Sequence, residues 1–199
     1  LIMKKVVKIF YKTLFLILVI FSVNVHGKIL SSGDVNAKVT VKVFSSLTCP
    51  ACANFHSEIY YDLKKDFIDA GLVKFEHHPF PLDLAALNAE IILRCSIIDE
   101  KKFELLGAIY KKQNSWAVGS DINRINESIK KIGLEFNMKD EKMNNCLKND
   151  KSQDEILRQR IEAQRKYKIQ STPTIFINEK KYSGKVNYKQ FKKAIEKNL

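Results

Sequence analysis

The first 27 of the 199 residues contain no aspartate or glutamate, and the longest apolar run, residues 13–23, is eleven residues long. A bilayer span needs ~20 apolar residues, so this run is not read as an ordinary membrane helix. Lys4, Lys5, Lys8 and Lys12 precede it, and Asn24-Val-His-Gly27 follows. A basic segment, a short apolar core and a small residue at the end are the order of a secretory signal peptide. The expectation is export to the periplasm with cleavage after Gly27; the alternative is a retained N-terminal membrane anchor. No cysteine lies near that point, which argues against a lipid-anchored form.

Cysteine is sparse as well. Of Cys49, Cys52, Cys95 and Cys146, only the first two form a C-x-x-C. A four-cysteine zinc site normally draws on two such pairs, so no metal is expected, and no cofactor. Lysine and arginine outnumber the acids 34 to 22, for a net charge of +12, and removing residues 1–27 leaves 30 against 22. The lysines are scattered in pairs such as Lys64-Lys65 and Lys192-Lys193. They do not gather beside exposed aromatics, so no nucleic-acid surface is indicated. There is neither an internal repeat nor a low-complexity tract. With 45% hydrophobic and 28% charged residues, the chain can bury a real core as one domain carrying a sizeable insertion.

What is present is a succession of strand and helix signals. Residues 28–37 are polar and are read as a leader. Lys38, Thr40 and Lys42 then alternate with Val39, Val41 and Val43, the period of a strand. Phe55, Ile59, Leu63 and Phe67 recur every four residues, the buried stripe of a helix, and Gly71 is a natural stop after it. Residues 72–78 form a second strand, halted by Pro79 and Pro81. The spacing predicts a β-α-β unit with parallel strands. Helical signals fill residues 84–168: 84–95, 103–110, 121–132 closed by Gly133, 139–147 and 153–167. Residues 174–177 return to strand, 182–184 open a short partner strand, and Asn187 caps a final helix. The fold class is α/β. Its expected division is a sheet-based part at residues 28–83 and 151–199, with a helical insertion at 84–150.

Cys49-Pro-Ala-Cys52 lies where the first strand hands over to the helix. The free N–H groups and the dipole of a helix start stabilise a thiolate there, and Pro50 suits the first helical position. Cys49 is therefore the expected attacking thiol, with Cys52 one turn in and less exposed. A purely structural bridge between them is the alternative. Thr172-Pro173 stands just before a strand, where proline blocks pairing. A cis bond would leave neighbouring backbone groups free to hold an extended peptide near the dithiol; an ordinary trans proline at a strand edge is the other reading. His56 is read as surface polar. His77 and His78 are expected on opposite faces of their strand, which disfavours a shared metal. Met138 and Met143 are read as packing residues. Trp116, Tyr110 and Phe80 are read as core rather than as a client groove.

Cys49-Pro-Ala-Cys52, the helical insertion and Ser171-Thr-Pro-Thr-Ile-Phe-Ile177 together resemble the DsbA-type thiol–disulfide oxidoreductases, a branch of the thioredoxin superfamily, over residues 35–199. The resemblance implies a thioredoxin-like fold with an inserted helical domain. It implies that Cys49 carries a mixed disulfide with a client protein and that Cys52 resolves it. It further implies that Pro173 is cis, and that Thr172 contacts the cysteines and the bound peptide. A membrane quinone reductase would reoxidise the dithiol. Two positions depart from the pattern. Ala51 replaces the histidine of the best-known strongly oxidising members, and Val43 stands where many relatives carry a buried acid, six residues before the first cysteine. Glu76 on the neighbouring strand is the candidate to take over proton transfer, with a surface glutamate as the alternative. Cys95 and Cys146, in an oxidising compartment, are expected to form a structural disulfide like the second bridge of some alphaproteobacterial members; two buried free thiols are the alternative.

The expected function is the donation of disulfides to client proteins. An isomerase or reductase of the same fold, or a redox-inactive chaperone or binding module, are the rivals. Residues 28–37 are too short for a dimerising stalk, so a monomer is expected.

Overall fold

Strand β2 (Val39–Ser45) lies at the centre of a five-stranded sheet, and its alternation decides which side faces what. The computed structural model describes residues 29–95 and 99–199; the expected signal segment lies outside them. In chain order the elements are β1 (Leu30–Ser32), β2, α1 (residues 50–68), β3 (Val73–Pro79), α2 (Leu84–Cys95), α3 (Asp99–Lys111), α4 (Gln113–Trp116), α5 (Ile122–Glu135), α6 (Asp140–Leu147), α7 (Asp150–Tyr167), β4 (Thr174–Ile177), β5 (Lys180–Lys181) and α8 (Tyr188–Glu196). The sheet order is β1-β3-β2-β4-β5. β2 and β3 run parallel, joined through α1 as the spacing predicts, and the other pairs are antiparallel.

Val39, Val41 and Val43 point to the face covered by α1 and α8, where they meet Phe55, Ile59, Leu63, Phe67, Phe191 and Ile195. Burying each such side chain contributes roughly 1.5–3 kcal/mol, so the four-residue stripe of α1 is enough to hold it on the sheet. The opposite face carries Phe44 and Phe176 and is covered by Ala163 and Tyr167 of α7. A third cluster joins the insertion to the start of α1. It packs Leu47, Cys49 and Cys52 against Leu93, Leu106, Tyr110, Trp116 and Ile129.

Four local expectations change. The polar leader contains β1, which pairs antiparallel with β3 at Leu30–His77 and Ser32–Phe75; a three-residue edge strand is too short to show alternation. The partner strand of β4 is at Lys180–Lys181 rather than 182–184, because Asn178 adopts a left-handed φ of 55° and turns the chain earlier. Gly133 does not end its helix. It lies inside α5, where an added Cβ would run into the Met143 sulfur and come within 3.3 Å of the Met138 sulfur. It is glycine for close approach of α6. Finally, α7 begins at Asp150, because the Asn149 side chain accepts from the Ser152 N–H and caps it.

Candidate active site

Cys49 is the residue that caps α1. Its backbone is extended (φ −83°, ψ 117°), Pro50 follows in the first turn, and no side chain competes for the free N–H groups. The Cys49 carbonyl accepts from the N–H groups of Cys52 (3.1 Å) and Ala53 (3.2 Å), so the C-x-x-C loop closes into the helix at once. The turn before it is tied down by side chains. Thr48 Oγ1 donates to Asp83 Oδ2 at 2.7 Å, and the Leu82 N–H donates to Ser46 Oγ at 3.3 Å. Gln113 of α4 is buried and donates from one amide nitrogen to the carbonyls of Leu47 (2.8 Å) and Cys49 (3.1 Å). The sequence carries no signal for that clamp beyond a polar residue beside Trp116.

Both thiols are free and buried, Cys52 more deeply at 1% exposed. Their proton affinities are driven apart. The Cys52 thiol, Thr172 and the N–H groups of Cys52 and Ala51 stabilise the Cys49 thiolate against the opposing effect of burial, and its pKa falls to about 5. The same thiolate, and burial, push Cys52 far up. The Thr172–Pro173 peptide is cis. Its loop faces Cys49 directly, with Cys49 Sγ donating to the Thr172 carbonyl at 3.4 Å. Thr174 Oγ1 donates back to the Ser171 carbonyl at 2.7 Å and braces the loop. A cleft of about 610 Å³ opens beside Pro50, lined by Ala53, His56, Tyr61 and Tyr110.

The other candidates sort by face. Register pairs Lys42 with Glu76 and Val43 with His77. Val43 faces α1, so Glu76 lies on the far side of the sheet. There its carboxylate binds Lys74 (2.8 Å) and His78 (2.9 Å). Burial alone would raise its pKa, but His78 and Lys74 hold it at about 2. The structure does not bring Glu76 to the dithiol. The face that Glu76 misses is occupied by His77, whose Nε2 sits 2.5 Å from Glu90 Oε1 of α2. Glu90 was legible only as an acid inside an apolar helix. His56 is buried rather than on the surface, stacked on Tyr60 at 4.5 Å, and desolvation drives its pKa down to about 3. Trp116, Tyr110 and Phe80 are core residues, and so are Met138 and Met143. Cys95 and Cys146 are joined by a disulfide that ties the end of α2 to α6. Among the described residues no cluster of His, Cys, Asp or Glu is arranged to hold a metal ion.

A dithiol at a helix start, faced by a cis-proline loop and carried on a sheet with helices on both faces, defines a thioredoxin-fold dithiol protein. The sequence model of the family described as Thioredoxin matches residues 26–197, and the chain belongs to that family, on its DsbA-like branch. It is 31% identical over 177 residues to the disulfide bond formation protein D of Bacillus subtilis, covering 84% of this chain and 75% of that protein. A Rickettsia bellii protein, provisionally named a protein-disulfide oxidoreductase, is 29% identical over 161 residues. The match covers 80% of this chain but 60% of that relative, so the chain spans less than two thirds of the rickettsial protein's length. Among solved structures, alpha-DsbA1 of Wolbachia pipientis superposes with a TM-score of 0.78 at 27% identity, covering 86% of this chain and 90% of that one.

Proposed function

We propose that the chain is an exported thiol–disulfide oxidoreductase that places disulfides in client proteins. A client thiolate attacks Cys49 Sγ of the oxidised pair. The Cys49–Cys52 bond breaks, its electron pair stays on Cys52, and Cys52 takes up a proton. A second client thiolate then attacks the client sulfur of the mixed disulfide, and Cys49 leaves as a thiolate. Two electrons have passed from client to enzyme. A membrane quinone reductase is the proposed oxidant that restores the pair. Thr172 and the backbone beside Pro173 hold the extended client segment next to Cys49. The periplasm is the proposed compartment, residues 1–27 the signal that leads there, and a monomer the working form.

The observation that carries this reading is the placement of the two thiols, with Cys49 at the start of α1 facing the cis Thr172–Pro173 loop and Cys52 1% exposed. Cys49, pulled to about 5, is a good leaving group, and a good leaving thiol tilts a pair toward giving its disulfide away. The test is oxidation of a reduced, unfolded protein by the mature chain. Transfer is expected with wild type and lost with Cys49→Ser. Equilibration of the couple with glutathione only near thioredoxin's potential, about −270 mV, would reverse the proposed direction and leave a reductase.

A further inference from the structure

The positive charge of this protein is not spread evenly along it. Residues 180–199 hold seven lysines against one glutamate, whereas residues 28–179 hold 23 basic side chains against 21 acidic ones. Six of the eight net charges outside residues 1–27 therefore fall in twenty residues. Three of the seven lysines have a local role. Lys180 and Lys181 are exposed on β5, at the edge of the sheet, where lysine discourages pairing with another chain. Lys192 lies against Asp66 at 2.8 Å. The other four, Lys185, Lys189, Lys193 and Lys197, are exposed and form no ion pair among the described residues.

These four recur every four residues. On α8 and its C-terminal cap that spacing sets Lys189, Lys193 and Lys197 in one row, on the side away from the buried Phe191 and Ile195. Lys185 precedes the helix but is held against its first turn. Its N–H donates to Gln190 Oε1 at 3.3 Å, and its carbonyl accepts from Tyr182 Oη at 2.8 Å. The stability of α8 does not call for this row. Like charges one turn apart oppose each other along a helix. Lys189 sits in a first turn that has no acid, where the helix dipole disfavours a cation. Elsewhere lysines lie against carboxylates, as Lys42 does on Glu179, Lys112 on Glu135 and Lys130 on Glu127 and Asp140.

The shape of the surface narrows what can cover it. None of the four lysines lines the cleft beside Pro50, or two further clefts of about 580 and 680 Å³, so a small anion has no enclosure there. Tyr182 and Tyr188 turn inward, one ring 5.2 Å from that of Phe191 and the other hydroxyl bonded to Asp66. Nucleic-acid bases would have nothing to stack on. The large hydrophobic exposed within residues 180–199 is Val186, at 48%, which is far less than the apolar centre of a protein interface.

A row of cations on a convex helix, with one apolar side chain beside it, fits a broad anionic plane. We propose that Lys185, Lys189, Lys193 and Lys197 form a docking face for the surface of an anionic phospholipid bilayer. Their ammonium groups lie among the headgroup phosphates, and Val186 rests at the same level. Glu196, the one acid of α8, weakens the face only in part, because it also interacts with Lys192. The proposal stands independently of the direction in which the dithiol exchanges electrons. Each lysine held near such a surface raises partitioning by about fivefold, and the attraction fades beyond a Debye length.

The test uses the chain from residue 28, which carries every described strand and helix. It is sedimented with vesicles of phosphatidylcholine, or of phosphatidylcholine and phosphatidylglycerol in equimolar mixture. Binding is expected on the anionic vesicles at low salt and not on the neutral ones, with release at ~1 M salt, where the Debye length is ~3 Å. The variant K185Q/K189Q/K193Q/K197Q should bind about 10²-fold more weakly. The control K131Q/K139Q/K148Q/K151Q removes the same charge from exposed lysines of the helical block and should keep most of the binding. Both variants should exchange disulfides with glutathione as wild type does, which shows that they are folded. Equal losses in the two variants, binding that salt does not release, or no binding to anionic vesicles overturns the proposal. Binding of a DNA duplex or an acidic peptide through the four lysines, with the vesicles ignored, overturns it in favour of that partner. If wild type fails to oxidise clients while the row still governs vesicle binding, the proposed function falls and the docking face stands.

Discussion

Reduction of the Cys49–Cys52 pair should stabilise the protein by an amount that depends on pH, and the dependence can be worked from one thiol. In the folded reduced protein the pKa of Cys49 falls from 9.0 to about 5, held there by the Cys52 thiol, Thr172 and the N–H groups of the first turn. The unfolded chain keeps the ordinary value. A depressed acid adds stability that is fully present above the unfolded pKa and is lost as pH falls through the folded one. At neutral pH about two units of the shift are in use, or about 2.7 kcal/mol at ~1.36 kcal/mol per unit. Cys49 keeps some solvent exposure (8%), and solvent screening trims this to roughly 1–2.5 kcal/mol. The assay is urea unfolding of the reduced and oxidised proteins at a series of pH values from about 4 to about 7. The oxidised form has no Cys49 proton to lose, so subtracting the two curves cancels the carboxylates and histidines they share. The gap should widen by roughly 1–2.5 kcal/mol as pH rises across that range, with its rise setting in near the thiol's own titration in ultraviolet absorbance. A constant gap, or a thiolate midpoint close to that of a free cysteine, would refute the reasoning.

Two further expectations concern stability alone. The Cys95–Cys146 bridge closes a loop of sequence separation 51, so the double variant Cys95→Ala/Cys146→Ala should lose about 2–4 kcal/mol, while Cys49 still exchanges disulfides. A urea midpoint displaced by less than about 1 kcal/mol equivalent would count against a stapling role. Gly133→Ala gains ~1 kcal/mol of helix propensity but pushes a methyl group against the sulfurs of Met143 and Met138, which costs ~1–3 kcal/mol in a filled core. A net loss of roughly 1 kcal/mol is expected from those two terms, and an unchanged or raised Tm would show that α6 yields.

Much of the architecture is written in local spacing. β2 is legible because its valines alternate, and α1 because Phe55, Ile59, Leu63 and Phe67 repeat at a helical interval. Each pattern needs only its own neighbours to be read. β1 is not legible, since Leu30-Ser-Ser32 becomes a strand only by pairing with β3. The burial of His56 is hidden for a similar reason. The helix that carries it is visible, but the closure of α3 over its outer side, which brings Tyr110 within 5.2 Å, joins residues far apart in the chain.

The same division holds at the site. The cysteine pair at a strand–helix junction and a proline just before a later strand are properties of the sequence, because a helix start and a missing N–H act locally. Which face of the sheet each polar residue of β3 reaches is a tertiary decision. Glu76 and His77 are adjacent, and the register of β3 on β2, with Val43 opposite His77, sends one to each face. A slip of one residue would exchange them. That parity turns Glu76 toward Lys74 and His78 and leaves the α1 side to His77, where Glu90 arrives from α2 only because the helical block packs back onto the sheet.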